Sequence, residues 1–221
     1  LPPIDGEVRF HGDLIQPMLK KRPKELLRRM QMIYQMPDTA LNPKHKVKKI
    51  LGRPLNFYFG MSGKERDLRI LELLEMIELE PEYAERLPDE LSGGEKQRVC
   101  IARALAAKPE LIICDEVTSA LDQLVAKGIL KLLQKLQNEL KVSYMFITHD
   151  LDTVKAISDH IVVMYQGKVV EQGQKTVILD PPHEPYTDLL LSSVPEMDPD
   201  WLNRVIEHRQ ELADKGVNIR T

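Results

Sequence analysis

Leu91-Ser92-Gly93-Gly94-Glu95-Lys96-Gln97-Arg98, followed by Leu111-Ile112-Ile113-Cys114-Asp115-Glu116 and then Ser119-Ala120-Leu121-Asp122, decides how this chain folds. A serine and two glycines opening a helix leave several backbone N–H groups without intrahelical partners, and those groups plus the positive end of the helix dipole favour a phosphate there. The helix itself reads from Gly93 to Lys108 and is stopped by Pro109. The four apolar residues before Asp115 read as a strand buried on both faces, which puts the paired carboxylates at its carboxyl end, where open α/β sheets bind ligands. A nucleotide site is therefore the first expectation. Asp115 would hold Mg²⁺ directly or through water, and Glu116 would orient and deprotonate an attacking water. The plain alternative is a strand-end carboxylate pair that caps the next helix.

Working outward, Glu7 to Phe10 and Gln31 to Gln35 read as short strands around a basic helical segment. From Met36 to about Glu90 the pattern turns helical, with Leu68, Leu71, Leu74 and Ile77 expected on one apolar face. Ser62 to Glu65 has the spacing of a capping box that starts a helix. Beyond Asp122, residues Val125, Ile129, Leu132, Leu133, Leu136 and Leu140 keep a helical period, and Tyr144-Met145-Phe146-Ile147 reads as another buried strand. Strand, helix and strand form a right-handed βαβ unit with both strand ends on one sheet edge, so Thr148-His149-Asp150 is expected near Asp115 and Glu116. Ile161 to Tyr165 and Lys168 to Glu171 read as a hairpin turning at Gln166-Gly167. From Asp180 the chain becomes proline-rich, and Asp198-Pro199-Asp200-Trp201 starts a final helix with Trp201, Val205, Ile206 and Leu212 as its apolar stripe.

The three blocks, in this order and spacing, resemble the ATP-binding subunits of ABC transporters: Leu91 to Glu95 is similar to their signature motif, Leu111 to Glu116 to their Walker B strand and Ser119 to Asp122 to their D-loop. Glu184-Pro185-Tyr186-Thr187 resembles the His-Pro-Tyr-Thr pattern of the C-terminal extension in oligopeptide and dipeptide importers. The resemblance implies a P-loop NTPase-like (RecA-like) α/β core at 1–35 and 106–180, an inserted helical subdomain at 36–105 and an importer-type extension at 181–221. It implies ATP and Mg²⁺ as ligands, Asp115 and Gln35 at the metal, Glu116 as the base and His149 at the γ-phosphate. Gln35 matches the Q-loop glutamine, although Met36 replaces the usual acidic residue. Ser92, Gly93, Gly94 and Glu95 are expected to serve a nucleotide held by a second ABC ATPase domain, with Asp122 reaching across that interface. Glu95 stands where Gln is commoner, and Val117 stands where Pro usually tightens the turn after Glu116.

No Gly-x-x-x-x-Gly-Lys-[Ser/Thr] loop occurs in the 221 residues. That loop wraps the β-phosphate with backbone N–H groups and places a lysine on the outer phosphates. Gly60-Met61-Ser62-Gly63-Lys64-Glu65 has its glycines too close together and Glu where a hydroxyl belongs. Leu1 to Phe10 resembles the segment just after the Walker A helix, so the expectation is that the Walker A half of the core lies outside this chain. A non-hydrolytic partner that donates only its signature face is the alternative. A DNA-repair or chromosome-type ATPase is a further one, but such proteins carry long heptad coiled coils between these motifs and none is present.

With 43% apolar residues the chain can bury a sizeable core. A net charge of −3 argues against a dedicated nucleic-acid binder, whose footprint is a basic face. The two cysteines, Cys100 and Cys114, fall in segments patterned for burial, which fits a reducing compartment rather than a disulfide framework. No apolar run approaches the roughly 20 residues of a membrane span. Attachment to the inner face of a membrane is expected only through transmembrane permease subunits.

Overall fold

A computed structural model describes residues 3–192. The chain divides into two compact units, one ending at Ile147 and one beginning at Thr148, and each is described by itself. The first opens on a small antiparallel hairpin, β1 (Arg9–Phe10) and β2 (Asp13–Leu14), turning at His11 and Gly12 with positive φ at both. The sequence anticipated only the first of these strands. Helix α1 (Lys24–Arg29) then runs directly into β3 (Met30–Ile33).

The helical segment follows as α2 (Pro37–Ala40), α3 (Val47–Phe59), α4 (Gly63–Met76) and α5 (Gly93–Leu105). Its core is built from Val47, Ile50, Leu51 and Leu55 of α3 together with Ile70, Leu73, Leu74 and Ile77 in and just after α4, all buried. The expected face of α4 is corrected here: Leu68 and Leu71 are 62% and 41% exposed. Steps of three residues rotate by about 300° and drift around a 3.6-residue helix, whereas Ile70, Leu73, Leu74 and Ile77 follow the 3-4-7 spacing that keeps one stripe. α4 does start after Ser62, but the capping box is not made, since the Ser62 side chain forms no cap hydrogen bond; Gly63 opens the helix at φ +56°.

After α5 come β4 (Leu111–Asp115), α6 (Gln123–Leu140) and β5 (Ser143–Ile147). The three longer strands form a parallel sheet in the order β3-β4-β5. The buried stripe of α6 is Ile129, Leu130, Leu132, Leu133 and Leu136, and Lys141 ends the helix in the left-handed conformation. Two further expectations are revised. Only alternate residues of β4, Ile112 and Cys114, are fully buried, and β5 alternates half-buried Tyr144 and Phe146 with exposed Met145 and Ile147, so neither strand is covered on both faces. β5 forms the edge of this narrow sheet, and the helix packed on it is α5, which lies against β3.

The second unit contains α7 (Leu151–Ile157), the antiparallel pair β6 (His160–Tyr165) and β7 (Lys168–Gln174), then α8 (Lys175–Leu179) and α9 (Pro185–Ser192). The hairpin turns at Gln166 (φ 47°) and Gly167 (φ 79°), as the two-residue spacing anticipates. The helix expected from Asp198 lies outside the described residues. Among the described residues no helix is long and apolar enough to cross a membrane.

Candidate functional site

Register positions the first pair of site residues. Ile33 faces Cys114 across the parallel strands β3 and β4, so two residues further along each chain Gln35 meets Glu116. The Gln35 side-chain amide donates to Glu116 Oε2 at 2.5 Å. Eighty-one residues of sequence separate these two groups, and only strand pairing brings them together.

Glu116 has φ +47°, a left-handed conformation uncommon outside glycine and concentrated at functional sites. Its own N–H donates to the Ile147 carbonyl at 2.9 Å, hooking it to the end of β5. Its carbonyl accepts from both the N–H and the hydroxyl of Ser119, at 3.1 and 3.0 Å. Val117 and Thr118 are buried beneath this turn, so the turn closes without the proline that would usually stand at position 117. Asp115 is half-buried at the end of β4, opposite Ile147 in β5. Beside it, burial alone pushes the Cys114 thiol up to about 12, and burial chiefly pushes Cys100 up to about 11, so neither thiol serves as a nucleophile near neutral pH.

The second grouping is the start of α5. Ser92 caps the helix, accepting from Glu95 N–H at 3.4 Å, while Glu95 Oε2 accepts from Ser92 N–H at 2.7 Å and from the Ser92 hydroxyl at 2.8 Å. Glu95 Oε1 accepts from the Tyr83 hydroxyl at 2.5 Å. These donors, Tyr83 first and then Ser92, hold the Glu95 carboxyl below its ordinary value. Gly93 and Gly94 lie against the start of α6: a Cβ on Gly94 would sit 2.7 Å from Val125 Cγ1, and one on Gly93 would sit 3.6 Å from Leu121 Cδ2. Asp122 caps α6, its Oδ1 accepting from the N–H groups of Leu124 and Val125 at 3.1 and 3.0 Å. Sequence reasoning assigned Gly93, Gly94, Ser92 and Asp122 to one interface, and the fold packs the two segments that carry them against each other.

His149 follows Thr148, the first residue of the second unit, and precedes α7. Asp150 beside it caps α7, accepting from the N–H groups of Asp152 and Thr153, and its own N–H donates to the Thr148 hydroxyl at 3.0 Å. Sequence reasoning missed Tyr83, which carries no motif and acts on Glu95 from 12 residues away. It also gave no role to Gln97, which is buried and whose side-chain amide atoms have no hydrogen-bond partner among the described residues.

Asp115 and the side-chain carbonyl of Gln35 are the oxygen donors suited to Mg²⁺ at this sheet edge. Among the described residues no cluster of three His, Cys, Asp or Glu side chains is built. A carboxylate and an amide oxygen are donors of the kind Mg²⁺ takes, since that ion binds through one or two protein oxygens, keeps several waters and takes the rest of its shell from phosphates.

The family profile described as ABC transporter matches residues 1–119, and that described as oligopeptide/dipeptide transporter, C-terminal region, matches residues 170–216. The oligopeptide transport ATP-binding protein OppF of Bacillus subtilis is 46% identical over 91% of this chain and 67% of its own length. AppF, an oligopeptide transport ATP-binding protein of the same organism, is 41% identical over 87% of this chain and 59% of its own. The chain thus spans about three-fifths to two-thirds of the length of these relatives. Among solved structures, the dimeric post-hydrolysis state of the ATP-binding cassette MJ0796 bound to ADP and Pi aligns with a TM-score of 0.67 at 33% identity, covering 78% of this chain and 75% of that one. CbiO1 of Clostridium perfringens, part of the transporter complex cbiONQ, aligns at 0.71 with 26% identity over 94% of this chain and 78% of its own. The sheet with its paired Gln35 and Glu116, the helix opened by Ser92-Gly93-Gly94 and these matches together establish that the chain has a P-loop NTPase-type α/β fold and belongs to the ABC transporter ATP-binding proteins of the oligopeptide/dipeptide importer group.

Proposed function

We propose that the protein containing this chain is the ATP-hydrolysing subunit of a peptide importer. The observation that carries this reading is the contact between Gln35 and Glu116. The bond from the Gln35 amide to the Glu116 carboxylate at the carboxyl end of a parallel sheet supports this reading: there Glu116 would be the proton acceptor beside a nucleotide phosphate, and the Gln35 carbonyl would be available to a metal. Mg²⁺, when bound, would neutralise charge on the transferring phosphoryl group. Asp115 and Gln35 would hold it. Glu116 would accept the proton of the attacking water, and its φ of +47° with the bond to Ile147 fixes the backbone from which that carboxylate projects. His149 would meet the γ-phosphate.

The start of α5, with Ser92, Gly93 and Gly94, would complete the nucleotide site of a second ATPase domain, and Asp122 would face the same interface. A groove of about 660 Å³ in the helical segment, lined by Lys49, Arg53, Arg66 and Arg103 among others, is available for permease subunits, through which the protein would sit at the inner face of the membrane. Closure on two nucleotides and reopening after hydrolysis would drive the permease.

The test is Glu116→Gln in the full-length protein. The variant is expected to keep its affinity for Mg²⁺-ATP while phosphate release falls by about 10²-fold or more, the range in which positioned proton acceptors contribute. Phosphate release at the parental rate would refute the assignment.

A further inference from the structure

The Glu95 carboxylate carries three bonds at the start of α5. Two come from Ser92 and belong to the capping box; the third comes from outside the helix, from the Tyr83 hydroxyl at 2.5 Å. Tyr83 lies in a 3-10 turn, Pro81–Glu85, that is firmly attached to the start of α3. Glu85 accepts from Lys46 and Lys48 at 2.9 and 2.5 Å, and the Arg86 carbonyl accepts from Val47 N–H at 2.9 Å. The Arg86 guanidinium sits over the Tyr83 ring, 3.9 Å from its centroid.

A carboxylate at the third position of this helix creates a conflict for a phosphate-binding end. It repels an incoming phosphate, and it takes the one hydrogen that the Ser92 hydroxyl could otherwise give to a phosphate oxygen. We propose that Tyr83 is a positioning residue for the phosphate-facing end of α5: its hydroxyl holds Glu95 back toward the helical segment, so that Ser92 can turn its hydroxyl to a phosphate without freeing the carboxylate. When Ser92 turns, Glu95 keeps the bonds from Tyr83 and from Ser92 N–H. Without Tyr83 it keeps only the latter, and Oε1 becomes free to swing toward the phosphate. This inference rests on the reading that Ser92 to Gly94 meet a nucleotide.

The experiment compares Tyr83→Phe, Glu95→Gln, the double variant and Ser92→Ala in the full-length protein, following hydrolysis as a function of ATP concentration. Tyr83→Phe is expected to raise the half-saturating ATP concentration about fivefold to tenfold, with the rate at saturation within about twofold of the parent. In the Glu95→Gln background the same change is expected to have no effect, because an uncharged amide does not need to be held back. An equal loss in both backgrounds would mean a merely structural tyrosine and would overturn the proposal. If Ser92→Ala shifts the ATP dependence and Tyr83→Phe does not, Tyr83 has no positioning role; if neither shifts it, the nucleotide reading of this helix end itself fails. A second measurement needs no nucleotide: carbon NMR titration of Glu95 in the present chain should show its carboxyl rising toward the ordinary glutamate range in Tyr83→Phe. An unchanged titration would break the link between the two residues.

Discussion

At the scale of single residues, the roles divide between side chains that do chemistry and backbones that let two segments meet. Gly94 belongs to the second kind. Its absent side chain admits Val125 Cγ1 to 2.7 Å of where a Cβ would stand, so that α5 can lie against the start of α6. Gly94→Ala is expected to cost about 1–3 kcal/mol, the usual range for overpacking, as read from the urea midpoint at unchanged slope. Combining it with Val125→Ala should cost less than the sum of the two single changes, because the clashing methyl is gone; strict additivity would show that the contact is not the cause. The sequence presented Gly93 and Gly94 as a phosphate cradle, and nothing in it named Val125 as their neighbour. Glu116 divides in the same way: its place after an apolar strand was legible, but its left-handed backbone and its bond to Gln35 were not.

At the scale of elements, periodicity worked where the stripe was long and failed where the chosen residues drifted. In α6 the sequence pattern picked out Ile129, Leu132, Leu133 and Leu136, all buried, and missed the flanking Leu130, while the expected Val125 is half-buried and the expected Leu140 lies exposed past the packed turns. Leu133, fully buried, is the sharpest place to test this helix: Leu133→Ala should destabilise by about 2–5 kcal/mol in thermal or urea unfolding, against a few tenths for the exposed Leu124→Ala. Similar losses at both positions would contradict the packing of α6. In α4 the apolar residues outnumber the positions that face the core, so sequence alone could not say which of Leu68, Ile70, Leu71 and Leu73 turn inward. The answer depends on where α3 and α5 lie. Strand burial was overread for a related reason, since a run of apolar residues fits a strand covered on one face as well as on two.

At the scale of the whole molecule, charge is spread unevenly despite a net value of only −3. The groove in the helical segment gathers Lys48, Lys49, Arg53, Arg66 and Arg103 with Asp67 as its one acid. Lys48 is paired with Glu85 and Arg66 with Asp67, whereas Lys49 and Arg53 have no ion pair among the described residues. If this groove is the permease-facing surface, reversing both charges with Lys49→Glu and Arg53→Glu should abolish co-purification with the membrane subunits and leave ATP hydrolysis of the detached protein within about twofold of the parent, as expected for exposed side chains remote from the chemistry. Retained co-purification would place the permease elsewhere.

The helix start at Ser92, the strand leading to Asp115 and Glu116, and the family were legible in the amino-acid sequence, because these rest on local spacing: turn residues, caps and the alternation of apolar and polar positions act over a few residues. The proline-rich stretch around Pro185 marked the importer group in the same local way. Which distant groups meet is set by packing and strand register instead. The register of β3 on β4 joins Gln35 to Glu116, the packing of α5 on α6 sets Gly94 against Val125, and the turn fastened to α3 brings Tyr83 to Glu95. These contacts arise from parallel pairing and side-chain interlocking between segments far apart in the chain, and no local pattern records them.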